Sequence, residues 1–450
     1  MQSAKVEASH WDIFSAPVED DSTTELEYTE YREANINVQT LDKYEFYTRD
    51  LDQWLLPHKS YILIKGKLLK EDGTSFSESD DITLVNNGFS VFRRANYFVN
   101  DQLLESVDFV PVGTTVLGLT EFSDDYTRSV ATQMFWYRDT GSGSANSQKY
   151  DVTATINADK TSVDVTLKDN PEYNLGFAIR QALCSGGKTI AMVLPLSHLF
   201  GFCKDIRKSF RGLKHTVKFD KNYNASMIHA NADIKAKFQV NFMSWWVPIL
   251  KPNLVTLARL EGELASSASA KLFWEGVSVY RSDARNDQHP RWRVASSVNK
   301  PSHIFVVMQQ IDREANSAFN SGIFDHVDLE RAQVRINSVQ FPKEEFEADF
   351  TNENDYQRLY HSFLEAGMKM LDADTGSQVN YTDFKTLYPI LHFDASHHED
   401  SLYATSTTAD IEVRLQLRTS PAATYYIYCI ILSERFATLQ GVENKMQIIL

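Results

Sequence analysis

Cysteine is scarce: Cys184, Cys203 and Cys429 are the only three in 450 residues. The count is odd and the three lie far apart, which excludes a disulfide framework or a CxxC metal site built from them. The reading is a chain assembled in a reducing, intracellular place. An uninterrupted apolar run of the ~18 residues that a membrane span needs is also missing. The longest candidate, Thr189–Phe200, is broken by Pro195 and His198, and the opening MQSAKVEASHWDIFSAPVEDD has no apolar segment of the signal-peptide kind. No membrane span is expected. Positive charge is outnumbered, since 45 Lys and Arg stand against 60 Asp and Glu for a formal charge of −15. Clustered cations are what displace counterions from a phosphate backbone, so nucleic acid is not the expected ligand. Neither GxSxG, HExxH nor GxGxxG occurs, and no repeat of 20–50 residues marks a solenoid or propeller.

What is present is a globular balance, 43% hydrophobic and 23% charged, in a chain long enough for two or three domains. Short runs alternating apolar and polar residues, bounded by Gly, Asn, Asp and Ser, recur through most of it and predict antiparallel strands. The clearest are Ser60–Leu69, Lys149–Thr155, Ser162–Leu167, Thr189–Leu194, Leu213–Phe219, Lys235–Met243, Lys271–Tyr280, Arg291–Val298, His303–Gln309, Gln333–Gln340, Ala409–Leu417 and Thr424–Ser433. Helical spacing is rarer: Asp355–Met370 is the strongest case, with Asn86–Phe98 and Leu254–Ala265 weaker. The fold class is therefore all-β with short helices in loops, arranged as two tandem β domains that are β-sandwiches or jelly rolls. Pro248 and Pro252 each remove a backbone donor, so pairing should end within Trp245–Leu254. This predicts an N-terminal arm over residues 1–30, a first β domain over 31–250 and a second over 251–450.

Three motifs invite a chemical reading. Ser185–Thr189 (SGGKT) ends like a phosphate-binding loop, but Ala182 holds the place of the earlier Gly and a strand follows where the mechanism needs a helix, so a β-turn is the reading. Asp372–Asp383 resembles a calcium loop, with Asp372, Asp374, Asn380 and Asp383 at positions 1, 3, 9 and 12. Gly376 at position 5 and Ser377 at position 6 break the pattern, so tight calcium binding is not expected. His397 to Asp400 (HHED) is ligand-rich, yet adjacent side chains of an extended chain point apart, and a solvated loop is the reading. Trp136, Trp245, Trp246, Trp274 and Trp292 read as core or subunit interface. No catalytic, cofactor-binding or metal-ligating residue is assigned, and no enzyme is expected.

Several segments, in order, resemble the major capsid protein of Polinton (Maverick) elements and the related adintoviruses, a double jelly-roll family. They are Ile64–Gly88, Phe98–Gln102, Phe135–Gly141 (FWYRDTG), Leu194–Phe200, Gly212–Phe219, Tyr356–Leu364, Asn380–Phe384, Tyr388–Asp394, Ala409–Leu417 and Tyr425–Glu434. Asp283–Pro290 and Asp312–Asp328 have no counterpart in that pattern and read as exposed loops or tower insertions. The resemblance implies a structural protein of a virion, assembled in the host nucleus or cytoplasm. It implies a homotrimer that contacts neighbouring capsomers and a minor (penton) capsid protein, tiling an icosahedral shell that encloses DNA without sequence-specific binding. Acidic capsomers should repel one another, so added salt or mild acid should favour the shell. The rival readings are a carbohydrate- or cell-surface-binding double β-sandwich, for which a signal peptide and disulfides would be expected, and a β-rich enzyme, for which converging His or carboxylate ligands would be needed.

Overall fold

The computed structural model describes residues 22–33, 38–156, 163–266, 269–371, 376–396, 408–442 and 445–449. The first part of the chain supplies β1 (Thr23–Arg32), β2 (Lys43–Tyr47), β3 (Trp54–Leu55), β4 (Tyr61–Lys70), β5 (Ile82–Leu84), β6 (Phe92–Val99), β7 (Gln102–Asp108), β8 (Tyr150–Ile156), β9 (Val163–Asp169), β10 (Ile190–Pro195), β11 (His215–Lys221), β12 (Ile228–Ala230) and β13 (Ala236–Pro252). The second supplies β14 (Ser269–Arg281), β15 (Arg291–Asn299), β16 (Pro301–Gln310), β17 (Leu329–Ile336), β18 (Val339–Glu347), β19 (Leu391–Asp394), β20 (Thr408–Leu417), β21 (Tyr425–Val442) and β22 (Lys445–Ile449). Helices are α1 (Val110–Glu121), α2 (Asp124–Arg128), α3 (Leu175–Cys184), α4 (Gly201–Asp205), α5 (Asn224–Met227), α6 (Leu254–Ala265), α7 (Asp312–Ala315), α8 (Gln357–Leu371) and α9 (Tyr381–Thr386).

Among the described residues, setting aside β3, β5, β12, β22 and the β8–β9 hairpin leaves eight strands on each side of α6, and the two sets are wired identically. In each, one sheet joins the first, eighth, third and sixth strands (β1-β13-β4-β10 and β14-β21-β16-β19). The other joins the second, seventh, fourth and fifth (β2-β11-β6-β7 and β15-β20-β17-β18). That order is a jelly roll, in which Greek-key connections leave only short edges. Among the described residues, every pairing between these strands is antiparallel and stays on one side of α6. The period-two pattern explains the packing: β20 buries Ala409, Ile411, Val413, Leu415 and Leu417 and turns Asp410, Glu412, Arg414 and Gln416 outward. Each buried Ile, Val or Leu among them contributes on the order of 1.5–3 kcal/mol, and the buried residues of both halves join into one continuous cluster.

Several expectations need correction. Residues 23–30 belong to β1, which pairs with β13, where no strand before residue 31 was expected. Pairing does not stop at Pro248: β13 runs through it and ends at Pro252, still within Trp245–Leu254. Pro248 sits opposite Tyr28 of β1, while its carbonyl accepts the Leu56 N–H at 3.0 Å on the other side. The nitrogen and carbonyl of one strand residue face the same way, so the missing donor points away from β1, where β4 has already ended at Tyr61. The expected helix Asn86–Phe98 is a 3-10 turn, Gly88–Val91, capped by Asn87 and followed by β6. The expected strand Gln333–Gln340 is the hairpin of β17 and β18, folded at Asn337 and Ser338, both with positive φ.

Candidate functional site

A cluster of buried polar groups lies on the seam between the two eight-strand sets. The connection after the fifth strand carries helices in both: α1 follows β7, and α8 follows β18. These equivalent helices pack together so closely that a Cβ on Gly367 of α8 would stand 2.6 Å from the Thr120 carbonyl oxygen of α1. Beside them the Trp136 indole N–H donates to Gln378 Oε1 at 3.0 Å, and the Gln378 amide donates to the Gly118 carbonyl at 2.7 Å. Arg138 pairs with Asp383 and lies over the Tyr388 ring, 6.0 Å from its centroid.

Deeper in, Arg180 of α3 and Asp139 form an ion pair of 2.7 Å with neither side chain exposed. Arg180 also donates from Nε to the Leu84 carbonyl at 3.1 Å and from Nη1 to that of Tyr137. Asn174, whose side chain caps α3 by accepting the Phe177 N–H, gives its amide to Asp139 Oδ1 at 2.8 Å. Burial is the strongest single influence and raises the Asp139 carboxyl, but the Arg180 guanidinium, together with His229 and Asn320, outweighs it and holds the group below the usual carboxylate range. The second half closes over this pair. Tyr388 donates its hydroxyl to the Asp139 carbonyl at 3.4 Å, Asn320 donates to the Gly143 carbonyl at 3.2 Å, and Ser321 donates to that of Ser226 at 2.6 Å.

A third anchor is Glu105 on β7, fully buried. Its carboxylate accepts the N–H groups of Gly201 at 3.1 Å and Phe202 at 3.0 Å from α4, and of Val277 at 3.3 Å from β14. Burial pushes the Glu105 carboxyl above its usual range, against the pull of Arg435 and these donors. Glycine makes the approach feasible: a Cβ on Gly201 would fall 1.8 Å from the Glu275 carbonyl oxygen, and one on Gly276 would fall 2.1 Å from Arg435 Nε. These groups fix two blocks against each other. They do not set a nucleophile beside a base, and among the described residues no group of three His, Cys, Asp or Glu could hold a metal ion. Nor, among them, is any helix long and apolar enough to cross a membrane.

The fold and seam invite comparison with known proteins. A family model described as the double jelly roll-like domain matches residues 130–437, spanning strands of both halves. The chain belongs to the double jelly roll-like domain family. Solved structures share the fold of this double jelly roll chain at low identity. The major capsid protein of Faustovirus aligns over 94% of this chain and 92% of its own, with a TM-score of 0.55 and 7% identity. A chain in the structure of the Sputnik virophage aligns over 98% and 91%, with a TM-score of 0.58 and 10% identity. The mavirus major capsid protein aligns over 98% and 93%, with a TM-score of 0.50 and 13% identity. No curated protein sequence matches.

Against this double jelly roll, the sequence motifs fall into place. In SGGKT, Gly186 and Gly187 take positive φ in a turn between α3 and β10, and the Gly186 N–H is given to the Phe76 carbonyl at 3.1 Å. Asp372 and Asp374 lie outside the described residues, as do His397 to Asp400. Asn380 caps α9 by accepting the Asp383 N–H, and Asp383 is held by Arg138, so this end of the loop serves the seam. The segment read as a loop or tower, Asp312–Asp328, instead buries Ser317, Asn320, Ile323 and Phe324 at the seam. Trp136, Trp245 and Trp274 are buried in the core, and Trp292 packs against it. Arg180, Glu105 and Gly201 were not singled out from sequence. FWYRDTG did draw attention to Asp139, but an ion pair 41 residues apart leaves no local signal.

Proposed function

We propose that this chain is a major capsid protein of the Polinton or adintovirus type, working as a homotrimer. The observation that carries the reading is the repeated strand wiring: one chain holds two blocks of the same topology, welded by a buried polar seam. Three such chains in a closed ring present six similar blocks, a pseudo-hexagonal unit that can tile an icosahedral shell. The likeness to the Faustovirus and mavirus major capsid proteins supports the capsid role. The first jelly roll ends and the second begins near residue 250, with β1 part of the first. The unit holds DNA by enclosure, contacts neighbouring capsomers and a minor vertex protein, and performs no catalysis. Light scattering of the purified protein followed by electron microscopy tests this. Trimers that build shells of uniform size are expected; a persistent monomer at micromolar concentration would overturn it.

A further inference from the structure

Two phenylalanines lie open on the second half of the chain. Phe273 of β14 and Phe436 of β21 stand directly opposite each other across the ladder, with rings 6.4 Å apart, and are 52% and 56% exposed. They line a cleft of about 410 Å³ together with Lys271, Asn299, Lys300 and Glu434. The wet face of an antiparallel sheet ordinarily carries polar side chains, so an aromatic pair set there marks a surface that another segment covers. Lys300 is engaged by Glu434 at 3.7 Å, while Lys271 is exposed and, among the described residues, has no ion pair. The cleft therefore offers two rings and one unpaired positive charge.

One segment of the chain has the matching chemistry. Residues 1–21 hold Trp11, Ile13 and Phe14 close together, and set Glu7, Asp12, Glu19, Asp20 and Asp21 against the single cation Lys5. We propose that Trp11–Phe14 of a copy in one capsomer occupies the Phe273–Phe436 cleft of a copy in the next. The inference rests on the capsid reading above and names a tie between capsomers. Reach favours another copy over the chain's own strap. The Ser22 carbonyl accepts the Asn253 N–H at 2.9 Å, which fixes the root of the strap at the start of α6. From there α6 leads about 17 Å to Leu264, against which Gly441 of β21 packs, and β21 leads about 17 Å more to Phe436. The eight residue steps from Phe14 to Ser22 extend at most about 29 Å, so a strap laid along its own α6 falls short of its own cleft. Contact of the Trp11 ring with Phe273 and Phe436 supplies the adhesion, and Lys271 favours the acid beside it, Asp12.

The test assembles full-length protein, half of it isotope-labelled, and treats it with a carbodiimide that couples lysine to carboxylate without a spacer. Lys271 should link to Asp12 in peptides that pair one labelled with one unlabelled half. Phe436→Ser and Trp11→Ser should each raise the concentration needed for shells about tenfold, as loss of a central aromatic contact does, while light scattering shows trimers intact and circular dichroism is unchanged. The two substitutions combined should be no worse than either. A fluorescent peptide of residues 5–21 should bind full-length Trp11→Ser protein and not the protein that also carries Phe436→Ser. Links confined to one copy, or Phe436→Ser protein that assembles as the parent does, overturn the docking and leave the capsid reading standing. Protein that binds the peptide at the cleft yet never builds shells overturns the capsid reading, and the tie between capsomers with it.

Discussion

Asp139 and Arg180 meet at 2.7 Å with both side chains wholly out of solvent, and the second half of the chain is laid over them through Tyr388. Removing one partner strands the other charge in a dry site, so Asp139→Ala is expected to lower stability by about 3–5 kcal/mol. Replacing both with apolar residues of similar size, Asp139→Leu with Arg180→Met, should recover most of that loss, because no unpaired charge remains. Urea denaturation of the single and double variants measures the difference. A single variant within about 1 kcal/mol of the parent, a fivefold change in the folding equilibrium, would show that the pair does not hold the seam.

Two buried histidines set the acid limit. Burial lowers His215 to about 3 and His229 to about 4, and both are 1% exposed. In the unfolded chain they take up protons near pH 6.5. As pH falls from about 6.5 towards about 4 the unfolded state binds more protons than the folded one, and stability declines by up to about 1.4 kcal/mol per pH unit for each. Above that window neither contributes a slope. Asp139, a lowered carboxyl, stabilises above the ordinary carboxylate range and loses its contribution only when pH drops through its own lower value. Urea midpoints should therefore be level between pH 7 and 8 and fall steadily below 6.5. A flat profile down to pH 4.5 contradicts the burial of these rings. Salt is consequently the better lever for assembly than acid, although the −15 charge alone would permit either.

Glycine supplies a paired test. Gly201→Ala drives a methyl to within 1.8 Å of the Glu275 carbonyl across the seam, where only a backbone shift can make room. Overpacking of this kind is expected to cost about 3 kcal/mol and to loosen the Glu105 bonds. Gly262 sits in α6 with no atom beyond its chain neighbours and its own helix backbone within 4 Å of the place a Cβ would take, so Gly262→Ala should stabilise by up to about 1 kcal/mol through helix propensity. Thermal unfolding of the two variants should move in opposite directions, and equal effects would mean that α4 and β14 can part at little cost.

The same physics explains what could be read from sequence. Clean alternation marked β4 and β20, because each buries one face against the core and leaves the other wet. β6 escaped because a bulge falls where Phe92 pairs with Lys221 and Arg94 with Asp220; the extra residue spaces Phe92 and Ala95 three apart, as on a helix. α1 escaped for the opposite reason, since ten of its twelve residues are buried and no polar face gives a period. The seam was hidden because its partners meet only after folding: Gln378 is 260 residues from the Gly118 carbonyl it bonds.

The N-terminal segment separates two roles by length. Residues 1–21 lie outside the described residues, and β1 begins at Thr23, so a cut after residue 21 and a cut after residue 32 remove different things. β1 pairs with β13 from Thr23 to Arg32 and sets the Tyr31 ring 5.9 Å from that of Trp245, which is fully buried. Deleting residues 1–32 strips that strand and uncovers the Trp245 side of the core, so the melting temperature should fall sharply and trimers should be lost. Deleting residues 1–21 leaves the ladder intact and should change the melting temperature little. That segment carries a single cation, Lys5, with an apolar cluster of Trp11, Ile13 and Phe14. Such a composition suits a strap that orders on a neighbouring protein and does not suit a counterion-releasing arm on DNA. The shorter deletion is therefore expected to leave trimers whole and weaken shell assembly, read by light scattering and electron microscopy. Shells that form normally from it and lack only DNA would assign the segment to the genome.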